Sequence, residues 1–136
     1  MLKKTLLLVG LLGLTLSTQA KTEQKYIKRT GLASWHDYSN DRTVKRKYRN
    51  TMIAASREYP CGSLIKVFNW GDKYKRHMKH PRWVVVQIQD FGPAAYTNRV
   101  LDLNKPAFRK IASIDSGEVK VVYILLKRGG KCVHRH

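Results

Sequence analysis

Apolar and polar residues alternate most clearly from Trp83 to Gln89. Val84, Val86 and Ile88 share one face, while Gln87 and Gln89 share the other, the period of a strand with one dry side. Leu64 to Asn69 repeats the pattern, with Ile65 and Val67 against Lys66. Tyr26 to Trp35 reads as another strand, with Gly31 as a candidate bulge. Met52 to Ala55 and Val100 to Leu103 are shorter apolar stretches. Val119 to Leu126 is apolar on both faces and predicts a central strand buried on both sides. Asn104 can cap a helix running to Ile111, with Pro106 in its first turn. Tyr59-Pro60-Cys61-Gly62 marks a turn, and Asp90-Phe91-Gly92-Pro93 ends a strand abruptly. Two polar segments, 36–50 and 70–82, read as long surface loops. The expected fold is mainly β: six short strands with one or two short helices, closed into a barrel so that no edge is exposed.

The first twenty residues stand apart. Lys3 and Lys4 precede an apolar run, Leu6 to Leu16, and Thr18-Gln19-Ala20 offers small residues for cleavage. That is the pattern of a secretory signal peptide. The run is shorter than the roughly 20 residues a membrane span needs. The expected organisation is a leader over 1–20, a flexible lead-in over 21–30, one barrel domain over 31–127 and a basic tail over 128–136. The product is expected in the periplasm or outside the cell as a monomer, with no stable membrane span once the leader is removed.

Charge narrows the partners. The chain has 27 Lys and Arg against 9 Asp and Glu, formally +18. Without the two leader lysines, 25 basic residues still face 9 acidic ones. Such a field favours anionic partners and says nothing about fold. A signal peptide argues against nucleic acid and leaves wall polymers, lipopolysaccharide or phospholipid surfaces as the anionic partners, with peptidoglycan or another anionic wall polymer the expected one. Cys61 and Cys132 are the two cysteines, and an even count in an exported chain favours a disulfide between them. His77 and His80, and His134 and His136, lack neighbouring carboxylate or thiolate ligands, so neither metal nor cofactor is expected.

Three stretches, in order, carry a resemblance. Gly31-Leu32-Ala33-Ser34-Trp35 comes first. Ile53-Ala54-Ala55-Ser56, Tyr59-Pro60-Cys61-Gly62-Ser63 and Ile65-Lys66-Val67 follow. Val86-Gln87-Ile88-Gln89-Asp90-Phe91-Gly92-Pro93, then Arg99-Val100-Leu101-Asp102-Leu103-Asn104 and Ala107, complete it. Together they resemble the rare lipoprotein A family, whose fold is the six-stranded double-psi β-barrel shared with expansins. The resemblance implies a lytic transglycosylase that cuts between N-acetylmuramic acid and N-acetylglucosamine and leaves a 1,6-anhydro end. It equally admits a non-catalytic, expansin-like glycan-binding module. Lipoproteins of the family carry a cysteine at the cleavage point; here none is near it, so no lipid attachment is expected.

Asp90 is the candidate catalytic residue. Period two puts it in phase with Val84, Val86 and Ile88, at the rim of the core. A carboxyl partly withdrawn from water holds its proton more readily and can give it to a glycosidic oxygen. Gly92 and Pro93 are expected to fix the turn behind it. Asp102 and Asn104 are expected to be structural, the first by pairing with Arg99 or bonding backbone near the helix start. The family's loop glutamate has no counterpart between Thr43 and Asn50, and Ser56 stands where the family has histidine. Asp37 and Asp41 lie in that loop and are candidates for a second carboxylate. Trp35, Ser56, Trp70, Phe91 and Tyr96 are candidate substrate contacts, the aromatic ones because sugar rings stack on flat apolar faces.

Overall fold

The computed structural model describes residues 26–75 and 78–130, together with Gly10 and Gly13. The expected leader, residues 21–25 of the lead-in, His77 and the tail from Lys131, with Cys132, His134 and His136, lie outside the described residues.

Six strands form: β1 (Lys28–His36), β2 (Ile53–Ser56), β3 (Leu64–Asn69), β4 (Trp83–Asp90), β5 (Arg99–Asn104) and β6 (Glu118–Lys127). They close in the order β1-β5-β2-β4-β3-β6. β1/β5 and β2/β4 pair in parallel; the other pairs are antiparallel. This mixed, closed sheet is the barrel that the double-psi resemblance implies.

The inward set follows the alternation. Ile65, Val84, Val86, Ile88 and Val121 are buried, joined by Leu101, Leu103 and Tyr123. A short helix, α1 (Lys105–Arg109), adds Phe108, and Ile111 follows just after it; both are fully buried. Burying a side chain of that size contributes about 2–3 kcal/mol. Asn104 starts α1 as the pattern predicts, its Oδ1 accepting the Ala107 N–H at 3.3 Å. The same oxygen accepts the Ile53 N–H, and Nδ2 donates to the Thr51 carbonyl at 2.5 Å. One amide thus ties the helix to the start of β2.

Gly31 marks a close approach. A Cβ there would stand 2.5 Å from a Val100 methyl, and the β1/β5 register shifts just beyond, between Leu32 and Ala33.

Four features depart from the sequence reading. β6 is not covered on both sides: Val121 and Tyr123 face in, but Val122 and Ile124 stay half-exposed. The barrel interior dries only one face of a strand; β2 is buried throughout because the 36–50 segment covers its other face, whereas the outer face of β6 stays half-exposed. β1 begins at Lys28, two residues inside the strand read from Tyr26, and Lys28 to Thr30, which also fall within the expected lead-in, pair with Ile124 to Val122. The 36–50 segment is more than a solvated loop. Tyr38 and Val44 are buried and form a small second core with Ile53, against which Tyr48 packs. The 70–82 segment opens as a short 3₁₀ helix, Trp70–Tyr74, and buries Asp72.

Asp72 closes that second loop. Its carboxylate takes the Arg82 guanidinium in a fork at 2.7 and 2.9 Å, the Arg82 backbone N–H at 2.9 Å, and the Lys75 ammonium at 3.1 Å. The Arg82 side chain, opposed by burial and aided by the Arg82 backbone N–H, holds the carboxyl far below the usual carboxylate range. A depressed native value means stabilisation that is fully present above the unfolded value of about 3.9 and lost as pH falls through the native one. Asp72→Asn should therefore cost about 1–2 kcal/mol near neutrality, toward the low end because solvent screens the half-exposed Arg82. In urea titrations the gap between wild type and variant should shrink steadily below about pH 4.

Candidate functional site

Asp90 ends β4, beside β2. The β2/β4 register slips there: Ala54 pairs with Ile88, but Ala55 pairs with Asp90, leaving Gln89 as the extra residue. Strict period two would keep Asp90 in the inward row of Ile88. The slip moves it opposite Ala55 instead. Ala55 pairs on its other side with Asp102 of β5, and Asp102 pairs with Ser34 of β1. Four strands thus deliver Ser34, Asp102, Ala55 and Asp90 in one row, with an alanine as the spacer between two carboxylates.

The two carboxylates have different partners. Asp102 accepts a hydrogen bond from the Ser34 hydroxyl and pairs with the Arg99 guanidinium at 3.3 Å. Asp90 accepts the Phe91 backbone N–H at 2.8 Å and the Tyr38 hydroxyl at 3.1 Å. Among the described residues no lysine, arginine or histidine forms an ion pair with it. The other site aspartates each have a basic side chain as partner: Asp37 has Lys105 at 3.3 Å, Asp41 has His36 at 2.8 Å and Asp102 has Arg99.

Tyr38 is the residue that sequence reasoning missed. It is buried, its ring meets His36 edge-on at 4.5 Å between centroids, and its hydroxyl donates to Asp90. Burial, then the negative charge of Asp90, pushes its phenol well above the ordinary tyrosine value, so it remains a donor. The available signal was an aromatic residue placed between two loop aspartates directly after a strand. His36 and Asp41 complete the cluster. Asp41 also accepts the Thr43 N–H at 2.8 Å and hydroxyl at 2.6 Å. Burial opposes the charge on Asp41, but the Thr43 bonds and His36 outweigh it and lower the carboxyl. Asp37 is exposed; the bonds from Ser39, with Lys105 beside it, hold it at about 2.

The turn after Asp90 is braced. Arg57 donates one guanidinium nitrogen to the Pro93 carbonyl and another to the Arg99 carbonyl at 3.2 Å. Gly92 takes φ +147°, a value that side chains rarely adopt, and the Gly92–Pro93 bond is cis. Phe91 and Tyr96, on the segment this turn launches, are 72 % and 89 % exposed.

The remaining candidates lie elsewhere or are already engaged. Trp35 is half-buried: its indole N–H donates to the Ile114 carbonyl at 3.1 Å, and the Lys105 ammonium sits 4.8 Å from its ring. Ser56 is buried, and its hydroxyl accepts the Glu58 and Tyr59 N–H groups, which makes it a turn residue. Trp70 follows β3 at the end of the β3/β4 hairpin opposite Asp90. Among the described residues no cluster of three or more His, Cys, Asp or Glu could hold a metal ion.

Tyr38→Phe isolates the hydroxyl. It should leave Asp90 with the Phe91 amide as its remaining donor among the described residues and cost about 1 kcal/mol, the scale of one intramolecular hydrogen bond. Denaturant unfolding should show a lower midpoint at an unchanged slope, since the ring and its packing remain.

Comparison with known proteins adds the lineage. A family model described as "Lytic transglycolase" matches residues 28–123. The endolytic peptidoglycan transglycosylase RlpA of Pasteurella multocida is 30% identical over 125 residues, covering 88% of this chain and 40% of that protein. Its namesake from Campylobacter jejuni is 32% identical over 98 residues, covering 67% and 31%. A probable RlpA of Synechocystis is 35% identical over 91 residues, covering 64% and 26%. The chain thus spans two fifths or less of the length of these relatives. Among solved structures, a mutant Clavibacter michiganensis expansin in complex with cellohexaose superposes with a TM-score of 0.54 at 17% identity, covering 78% of this chain and 54% of that one. The apo form of that expansin gives the same score at 19% identity, covering 76% and 52%.

Proposed function

Because this chain belongs to the lytic transglycolase family of double-psi β-barrels, we propose that it acts on the glycan strands of peptidoglycan in the cell envelope, with Asp90 as the acid and then the base of a lytic cleavage. One observation carries the reading: Asp90 is a strand-end carboxylate oriented by Tyr38 and the Phe91 amide, with no cation paired to it among the described residues. A permanent cation would stabilise the ionised form and oppose proton donation. The neighbouring Asp102 has such a cation and serves as scaffold. Phe91, next to Asp90 in the chain, and Tyr96, on the segment after the turn, present exposed rings suited to stacking on sugar faces.

The proposed step needs no water. Asp90 gives its proton to the glycosidic oxygen as the C1–O bond breaks. The resulting carboxylate then takes the proton from the sugar's own 6-hydroxyl as that oxygen bonds to C1. A 1,6-anhydro ring results, and Asp90 ends protonated, as it began. One carboxyl suffices for both roles, so the loop glutamate that this chain lacks is not required for proton balance.

Asp90→Asn tests the reading on purified sacculi, with mass spectrometry of anhydro-ended fragments. Asn keeps the shape and an acceptor but carries no acid proton, so product release should fall by about 10²–10⁴-fold. Retention on sacculi and melting temperature should stay close to wild type. A second reading, a glycan-binding module without turnover, draws on Ser56 being a turn residue where the family has histidine. It gains if the wild type yields no anhydro ends while Asp90→Asn weakens retention. If Asp90→Asn unfolds the barrel, the carboxylate is a turn cap and the catalytic assignment is lost.

Export also implies the Cys61–Cys132 disulfide. The backbone supports that pairing up to Gly129. A Cβ on Gly129 would stand 2.2 Å from the Cys61 carbonyl oxygen, and its N–H donates to the Ser63 hydroxyl at 2.9 Å. The tail is therefore held against the Cys61 turn three residues before Cys132, a span of about 10 Å when extended. The secreted protein should show no titratable thiol until reduced and then two per chain. Reduction should lower stability by up to about 4 kcal/mol, the scale for closing so long a loop.

A further inference from the structure

The outer surface of the barrel has two unlike halves. Over β2 the loop 37–52 packs Tyr38 and Val44 onto Ile53. On β1, β6, β3 and β4 the outward side chains Thr30, Val122, Phe68 and Trp83 stay at least partly accessible. Register sets Thr30, Val122, Phe68 and Trp83 in one row across those four strands. Trp83 is 52% exposed. In the next row Ile124 lies between Lys28 and Lys66.

Trp70 and Pro81 help to enclose a cavity of about 380 Å³ over Val122 and Ile124. Its floor is apolar. The amide of Asn69, which also borders it, is engaged: it accepts the Gly71 N–H at 2.8 Å and donates to the Ile111 carbonyl at 2.7 Å. Ammonium groups stand over the surrounding rings. Lys66 lies 4.0 Å from the Trp83 centroid and 5.2 Å from that of Phe68, and Lys120 lies 5.0 Å from that of Trp70.

A sugar site needs polar groups in its floor to orient hydroxyls, and this floor offers methyl groups and rings. A bare polyanion would need no cavity. An alkyl chain carried on an anionic headgroup satisfies both features. We propose that this face docks the protein onto a membrane of anionic phospholipid. Lys28, Lys66 and Lys120 meet the phosphates, while Trp70, Trp83 and Phe68 reach the boundary between headgroup and acyl chain, where aromatic side chains are favoured. The excess of 25 basic over 9 acidic residues that remains without the leader adds attraction to such a surface. The face lies at the end of β3 and β4 opposite Asp90, and the proposal does not depend on any reaction there.

The test uses the protein recovered after export. Vesicles of phosphatidylcholine with phosphatidylglycerol should bind it in a salt-sensitive way, and pure phosphatidylcholine should bind it far less. Brominated acyl chains should quench tryptophan fluorescence, and Trp83→Phe should remove part of that quenching. Trp83→Ser with Ile124→Ser should weaken binding by at least about tenfold, as expected when two apolar side chains no longer leave water. Lys28→Glu with Lys120→Glu should do the same and flatten the salt dependence. Thermal melts check folding; should a double variant fail to fold, Trp83→Ser at its exposed position carries the test alone. Unchanged vesicle binding by the apolar variants, or the absence of quenching, overturns the proposal in favour of charge alone. Equal binding to both vesicle types overturns it, and so does loss of retention on sacculi without loss on vesicles. Failure of Asp90→Asn to alter catalysis leaves this face untouched, so the two readings fail separately.

Discussion

The pairing of β1 with β6, from Lys28 against Ile124 to Ser34 against Glu118, closes the sheet on itself. On its other edge β1 pairs with β5, so one strand joins the two ends of the sheet. Closure removes free edges and leaves one interior. Each strand then has a dry face and an outer face, and α1 adds Phe108 to the dry side. Every feature to which a function is proposed occupies what closure leaves outside: the row of Ser34, Asp102, Ala55 and Asp90, the braced turn after Asp90, and the lysine-rimmed apolar face.

What could be read from the sequence was whatever depends on a strand alone. Val84, Val86 and Ile88, or Ile65 and Val67, carry their burial in a local alternation that any half-buried strand shares. Asn104 carries a cap that depends on the next few residues. What could not be read depends on a neighbour. The slip opposite Gln89 exists because β2 and β4 pair in parallel, and no residue of β4 announces its partner. Tyr38 gave no signal by period, since it lies in an irregular loop. Its burial comes from Val44 and Ile53, brought together by the closed sheet. Val122 and Ile124 made β6 look buried on both sides because composition cannot distinguish an outward apolar residue from an inward one.

Asp90 and Asp102 show how small geometric differences separate chemical roles. They sit in one row, two strands apart, with Ala55 between. At Asp102 the cation is Arg99, three residues earlier on the same strand. Attraction between unit charges at such a separation is about 4–5 kcal/mol at an effective dielectric constant near 20, before any cost of withdrawing the groups from water. At Asp90 the partners are a phenol and a backbone amide, which orient the oxygens without bringing a full positive charge. The same residue type thus meets a guanidinium at one position and two neutral donors at the other.

The distribution of cations fits this division at larger scale. A chain with three times as many basic as acidic residues could be expected to crowd every carboxylate with positive charge. Arg57 instead spends its guanidinium on the Pro93 and Arg99 carbonyls, and Lys105 lies between Asp37 and the Trp35 ring. These groups brace the turn and the loop that frame Asp90 without pairing with it. Lys66 and Lys120 stand over aromatic rings on the far half of the barrel, where the summed field can act on an extended anionic surface. Keeping cations off one carboxylate in so basic a protein depends on giving them other acceptors. The Pro93 and Arg99 carbonyls and the Trp35 ring provide these, so the absence of an ion pair to Asp90 among the described residues goes with where the neighbouring cations are held.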